Sequence, residues 1–148
     1  MIQFTIKRNT PSKKNNKRVF CRGKYPVVLP SELHEDWHSD ALPELIIDRQ
    51  RQKKASLSRF PIEKAYYVIL QFYRSTHRIY DVTNAGESIM DLLVDAGVLK
   101  DDNFKVTPKV FPIHGDKDKE NPRCEVYIFT ENTESEKKKM FDILIEGD

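Results

Sequence analysis

Six acidic residues lie close together in one part of the chain: Asp81, Glu87, Asp91, Asp95, Asp101 and Asp102. Glu87, Asp91 and Asp95 follow one another at four-residue spacing on a predicted helix, where like charges repel and cost about 0.2 to 0.5 kcal/mol per pair. A bound divalent cation would remove that cost. Mg²⁺ prefers oxygen ligands and is usually held by one or two carboxylates together with substrate phosphates. The pattern therefore favours nuclease or phosphotransferase chemistry.

The same acids also have ordinary structural interpretations. Asn84 and Glu87 have the spacing of a capping box, and Asp81 stands where the N-terminus of a helix favours a negative charge. Asp101 and Asp102, followed by an asparagine, have the composition of a turn. From the residues alone, both the metal site and the structural interpretation stay open.

A second candidate is the segment His34-Glu35-Asp36-Trp37-His38, which matches the H-E-x-x-H pattern of zinc metalloproteases. In that pattern two histidines on one helical face bind zinc and the glutamate acts as general base. Here Pro43 interrupts the predicted helix soon afterwards, and no G-x-x-H follows. We therefore expect His34 and His38 to face solvent beside a core Trp37, with the zinc protease as a remote alternative.

Charge is distributed unevenly along the chain, although the net charge is only +2. Residues 1–80 carry 16 Lys/Arg and 7 Asp/Glu, a balance of +9, whereas residues 81–148 carry 9 and 16, a balance of −7. Most conspicuous is the turn-prone, basic segment 9–18, which we expect to be a loop that contacts phosphates. A second basic run ends the first helical region: Arg49, Arg51, Lys53 and Lys54.

Length and composition predict one domain, residues 1–148, that buries a core without disulfides. No apolar run approaches the roughly 20 residues that span a bilayer, and the first residues do not resemble a signal peptide. Cys21 and Cys124 fit a reducing compartment, so we expect a cytoplasmic protein without a membrane partner. Phosphate-binding and dinucleotide-binding glycine motifs are absent from the sequence, and we expect no nucleotide cofactor.

The predicted elements are strands near both ends of the chain with helices between them. Helices are expected over 32–58, divided in two by Pro43, over 81–96, and over 134–145. Strands are expected over 2–7, within 19–29, and over 65–74, 104–113 and 124–130, with a charged turn at 116–121. The apolar strand 65–74 should be central, and Pro108 and Pro112 place strand 104–113 at an edge. The fold class is therefore α/β (α+β), with a mixed sheet packed against helices.

Several of these segments resemble the RusA-like Holliday-junction resolvases, small homodimeric endodeoxyribonucleases of phages and prophages. Pro11-Ser12-Lys13-Lys14-Asn15-Asn16 is similar to the Pro-Ser-x-Asn segment of that family, and Ser31–Ala41, with Trp37, is similar to its helix after the second β region. Asp81-Val82-Thr83-Asn84 and Asp91–Asn103 resemble its Asp-x-Asp-Asn, helix, glycine and Asp-Asp pattern. Two positions depart from the pattern, with Thr83 in place of an aspartate and Glu87 in place of a lysine.

The resemblance implies a Mg²⁺-dependent homodimer, with Mn²⁺ as a substitute, that nicks four-way junctions in DNA recombination and repair. Its implied metal ligands are Asp81 and Asp102, with Asp101 as a ligand or support, and Asn84 shapes the site. Glu87 restores the charge missing at Thr83, which makes it a relocated ligand. Contacts with branched DNA are expected from Lys13, Lys14, Asn16, Lys17 and Arg18. The alternative is a non-catalytic junction-binding module of the same fold.

Overall fold

A four-stranded mixed sheet organises the protein in the computed structural model, which describes residues 1–13, 18–29, 31–56 and 59–146. In chain order the elements are β1 (Ile2–Lys7), β2 (Arg18–Arg22), β3 (Tyr25–Leu29), α1 (Glu32–Ser56), β4 (Tyr67–Arg74), α2 (Val82–Asp95), β5 (Val110–Lys117), β6 (Arg123–Phe129) and α3 (Glu134–Glu146). The sheet has the order β1-β6-β4-β5, in which β4 and β5 are parallel and the other pairs antiparallel. The described residues thus form a single domain of the α+β class.

Strand β4 lies inside the sheet, as its apolar sequence predicts. Val68 and Leu70 pack into the main core with residues of α1 and α2, while Tyr67 and Ile69 pack on the other face with Met140 of α3. Because helices cover both faces of the strand, its residues need no polar alternation. The predicted edge position of β5 is also confirmed.

Helix α1 is continuous, so the prediction that Pro43 divides it into two helices was wrong. Pro43 lies inside the helix and is exposed. Trp37, Ala41 and Leu45, which flank it along one face, are at most 4% exposed and belong to the main core. Packing on both sides of the proline outweighs its local penalty of about 3 kcal/mol.

Helix α2 has the predicted limits but a different cap from the expected capping box. Its N-cap is Asp81, whose Oδ1 accepts a hydrogen bond of 3.0 Å from the backbone N–H of Asn84. Asn84 is therefore inside the helix, and Glu87 is one turn too far along to complete a capping box. At the other end Gly97, with φ +68°, makes the expected left-handed stop.

The remaining elements show one further difference from prediction. Strand β5 covers Val110–Lys117 rather than 104–113, because parallel pairing with β4 extends from Val110 to Lys117 and includes residues expected in a turn. Strands β2 and β3 pair as a separate hairpin whose described side chains are exposed. Among the described residues, no helix combines the length and apolar character needed to cross a membrane.

The position of Pro43 predicts that Pro43→Ala stabilises the protein. Alanine restores a backbone N–H and removes the ring from the helix interior, so the free energy of unfolding should rise by about 1 to 3 kcal/mol. Urea unfolding followed by circular dichroism measures this change. Gln50→Ala, at another exposed position of α1, should change it by less than about 0.5 kcal/mol. Equal effects of the two substitutions would contradict a proline cost in α1.

Candidate functional site

Two of the predicted metal ligands meet in a cleft of about 270 Å³ between α2, the loop after it and β5. We call it the acidic cleft and define it by Thr83, Glu87 and Asp102, with apolar walls from Met90 and Pro112. Thr83 and Glu87 are four residues apart and so lie on one face of α2. Thr83 and Glu87, the two residues that depart from the family pattern, therefore line the same cleft as the Asp102 carboxylate.

The loop that carries Asp102 is held by backbone hydrogen bonds to a distant segment. After Gly97 reverses the chain, Ile62 N–H donates to Val98 O at 2.8 Å and Lys100 N–H donates to Ile62 O at 3.0 Å. These two bonds attach both sides of Leu99 to residue 62, and Leu99 itself is buried. The position of Asp102 beside α2 thus depends on Ile62, 40 positions earlier in the chain.

Asp101 acts within its own turn. Its Oδ1 accepts a hydrogen bond of 2.7 Å from the backbone N–H of Asp102, and its Oδ2 accepts one of 2.6 Å from the Asn103 side chain. These bonds lower the pKa of Asp101, chiefly through the Asp102 backbone N–H. Asp101 does not line the acidic cleft, so it fits the supporting role rather than the direct one.

Asp102 has the opposite electrostatic character. Its pKa is raised, first by desolvation and then by the Asp101 and Asp91 carboxylates. Its charged form is therefore disfavoured where it stands, and a positive charge in the acidic cleft would relieve this. Neighbouring carboxylates whose pKa values are shifted in opposite directions are frequent at functional sites.

Asp81 does not line this cleft. It caps α2 and lines a different cavity of about 210 Å³ with Arg74 and Arg78. Across the part of the chain that the structure describes, no three His, Cys, Asp or Glu side chains are grouped closely enough to hold a metal ion. The oxygen donors of Glu87 and Asp102 nevertheless fit Mg²⁺, which commonly needs only one or two carboxylates when substrate phosphates complete its shell.

Sequence reasoning missed Ser88. This residue attaches the start of the basic segment 9–18, called the basic loop below, to α2. Its hydroxyl is fully buried, donates to Pro11 O at 2.8 Å and accepts from the backbone N–H of Lys13 at 3.2 Å. Lys13 Nζ also lies 2.7 Å from Asp91 Oδ2, and this ion pair raises the pKa of Lys13. The sequence signal for this role was a single hydroxyl residue, Ser88, within the otherwise apolar stripe of α2.

Lys13 is the one predicted DNA contact whose side chain the structure describes. Lys14, Asn16 and Lys17 lie outside the described residues, as does the side chain of Arg18, the first residue of β2. In the second basic run, Arg49 Nη1 donates to Gly97 O at 3.4 Å, while Arg51, Lys53 and Lys54 are exposed.

The H-E-x-x-H segment differs from expectation at its first histidine. His34 is only 5% exposed, because it is one turn from Trp37 on the inner face of α1, and burial lowers its pKa. His38 is partly exposed and its Nε2 lies 2.8 Å from Asp95 Oδ2, whereas Glu35 is exposed. The prediction of two solvent-facing histidines was therefore wrong for His34.

Comparison with known proteins does not assign the chain to a family. The chain matches no model of a known protein family, and no curated protein matches it either. The relation to RusA-like resolvases accordingly rests on the sequence motifs and is a proposal.

The opposite environments of Asp101 and Asp102 predict opposite effects of neutralising them, measured by urea unfolding in EDTA. At pH 7, Asp102→Asn should raise the free energy of unfolding by less than about 0.5 kcal/mol, since a solvent-screened but disfavoured charge is removed. Asp101→Asn should lower it, because the lost carboxylate is favoured in the folded state.

Both differences should shrink in acid. The gain from Asp102→Asn disappears below its unfolded pKa, near 3.8, where the carboxyl is protonated in both states. The loss from Asp101→Asn disappears as the pH falls through the lowered folded pKa of Asp101. Changes of the same sign at pH 7 would contradict these electrostatics.

Proposed function

We propose that this protein is a Mg²⁺-dependent endodeoxyribonuclease of the RusA-like kind, which nicks four-way junctions in DNA as a homodimer. The observation that carries the proposal is the meeting of Glu87 and Asp102 in the acidic cleft. These residues are 15 positions apart, and the pKa of Asp102 is raised in the absence of a cation. Oxygen ligands of this kind are the ones that phosphodiester-cleaving metal sites use.

In this proposal Glu87 and Asp102 hold Mg²⁺, or Mn²⁺ in its place, and Asp101 orients the turn that presents Asp102. A metal held by these residues would supply Lewis-acid chemistry suited to activating a water and to stabilising the charge on a leaving oxygen. Glu87 supports the idea of a relocated ligand, because it lines the cleft on the same helical face as Thr83. The threonine hydroxyl alone cannot supply a negative charge.

The roles proposed for Asp81 and Asn84 depend on their positions at the first turn of α2. Capping uses Oδ1 of Asp81, and within the described part of the chain its Oδ2 makes no hydrogen bond. The carboxylate therefore keeps one oxygen for a ligand while it fixes the start of the helix that carries Glu87. Asn84 supplies the capped N–H, so it shapes the site through its backbone.

DNA binding is proposed for the basic loop. Ser88 holds the start of this loop on α2, the helix that also carries Glu87. Lysines in the loop would neutralise backbone phosphates, an attraction that is largely independent of sequence and weakens with salt. Two copies related by a two-fold axis would present two such sites, which suits symmetrical incision of a junction in recombination or repair.

A non-catalytic junction-binding module is the second candidate. It is favoured by Thr83, which lines the acidic cleft where the family pattern has a carboxylate, and by the lack of a three-carboxylate group among the described residues. In that case the basic loop would keep its role while the acids serve stability and capping.

Conservative amide substitutions separate the two candidates. Glu87→Gln, Asp102→Asn and Asp81→Asn should each reduce cleavage of a labelled junction in Mg²⁺ by at least about 100-fold, because a neutral amide ligates the metal weakly. Junction binding measured in EDTA should change less than about threefold, since shape is preserved. Glu120→Gln, in an exposed turn, is the matched control and should cleave normally.

The pattern of activities among these variants shows which residues act as metal ligands. Full cleavage by Glu87→Gln, with Asp81→Asn and Asp102→Asn inactive, would exclude Glu87 as a ligand. If the unchanged protein binds junctions but cleaves none in Mg²⁺ or Mn²⁺, the binding module is the function instead.

Replacement of Lys13, Lys14 and Lys17 with alanine tests the basic loop. Loss of about three phosphate contacts should weaken junction binding and reduce the slope of log K against log salt by about 2 to 3. The matched control replaces Lys137, Lys138 and Lys139 of α3, which removes the same charge elsewhere. Fluorescence anisotropy at several salt concentrations gives both slopes. Equal slopes in the two variants would remove the loop from the binding surface.

A further inference from the structure

The cavity of about 210 Å³ beside the start of α2 has a chemistry of its own. We call it the arginine cavity and define it by the residues Thr10, Ser12, Ser31, Arg74, Arg78 and Tyr80. These are two guanidinium groups and four hydroxyl groups, drawn from three separate segments of the chain. The Tyr80 hydroxyl also lies 2.9 Å from His114 Nδ1. Such groups are hydrogen-bond donors suited to an oxyanion.

Arg74 is a partly buried cation beside the cavity. Its Nη1 donates to Thr10 O at 2.7 Å, and its guanidinium carbon lies 4.4 Å from the centre of the Tyr80 ring. Within the described residues, no ion pair joins it to a carboxylate, although Asp81 lines the same cavity. Burial lowers its pKa. A charge in this position is costly unless an anion accompanies it.

The hydroxyl groups add donors on the same side. Thr10 is 2% exposed, and its Oγ1 makes no hydrogen bond to any described residue. Ser31 Oγ accepts a hydrogen bond of 3.1 Å from the backbone N–H of His34, which leaves its own O–H as a donor. A buried hydroxyl without a partner costs free energy, and a ligand that accepts its proton would recover it.

Among the described residues that line the cavity, Asp81 is the one acidic residue, and it is outnumbered there by Arg74 and Arg78. The cavity also has a defined relation to the acidic cleft. Asp81 and Ala85 line the first, while Thr83 and Glu87 line the second, so the two lie on different faces of the first two turns of α2.

We propose that the arginine cavity binds a phosphate group, which under the proposed function is a backbone phosphate of a DNA strand. Arginine presents parallel N–H groups that match phosphate oxygens, and the hydroxyls of Thr10 and Ser31 complete the shell. The identity of the strand rests on the proposed function, whereas the affinity of the cavity for a phosphate group does not.

Inorganic phosphate is the first probe. NMR titration of the full chain in EDTA, at constant ionic strength, should show saturable shifts of the backbone amides of Thr10, Ser12 and Ser31. Arg78→Ala should weaken the affinity by about tenfold, the effect of losing one charge-assisted hydrogen bond. Arg51→Ala, an exposed arginine of α1, removes the same charge and should leave the affinity unchanged. Absent shifts, or equal weakening in both variants, would overturn the site.

Arg74→Lys is a second variant, checked for folding by its thermal transition, and it should also lose phosphate affinity because the parallel N–H groups are gone. Arg78→Ala suffices if that variant does not fold, since the Arg78 side chain is exposed.

DNA binding in EDTA then identifies the source of the phosphate. Arg78→Ala should weaken binding of a labelled junction several-fold relative to Arg51→Ala. Weakened binding of inorganic phosphate with unchanged DNA affinity would overturn the assignment to a DNA strand and leave a site for free phosphate. A protein that binds both probes but cleaves no DNA would contradict the nuclease function while supporting this cavity.

Discussion

Burial of one face of α2 against the sheet is the constraint on which the rest of the structure depends. Ile89, Leu92 and Leu93 are fully buried in the main core. Since a helix has only one such face, this packing fixes the rotation of α2 and directs Thr83 and Glu87 toward β5. The cap at Asp81 and the reversal at Gly97 then determine where the chain enters and leaves.

Two chain segments take their positions from this helix. The start of the basic loop is attached through the buried Ser88 hydroxyl, and Lys13 pairs with Asp91 on the helix surface. The loop after Gly97 returns along α2, where its bonds to Ile62 hold it. As a result, basic and acidic side chains from the two oppositely charged halves of the sequence meet on one helix. In the proposed nuclease, this arrangement would bring phosphate attraction and cation binding together.

The carboxylate that Asp102 contributes to the acidic cleft is electrostatically unfavourable there. The proposed binding of a cation would explain why this cost is tolerated. Asp102 is desolvated and lies near like charges, which raises its pKa, whereas Asp101 is stabilised by the bonds of its own turn. Arg74 is similarly disfavoured on the other side of the start of α2. Groups held in unfavourable electrostatic environments are typical of sites that await a ligand of opposite charge.

The sequence by itself determined α2, with its apolar period, Asp81 at the start and Gly97 at the end, because these signals act between near neighbours. It also determined that β4 is central and β5 lies at an edge. Tertiary structure alone decided that α1 continues through Pro43, that His34 is buried, and that Asp102 lines the same cleft as Glu87. The physical reason is that core packing and backbone bonds between distant segments, such as those to Ile62, decide these outcomes, and no local pattern encodes their balance.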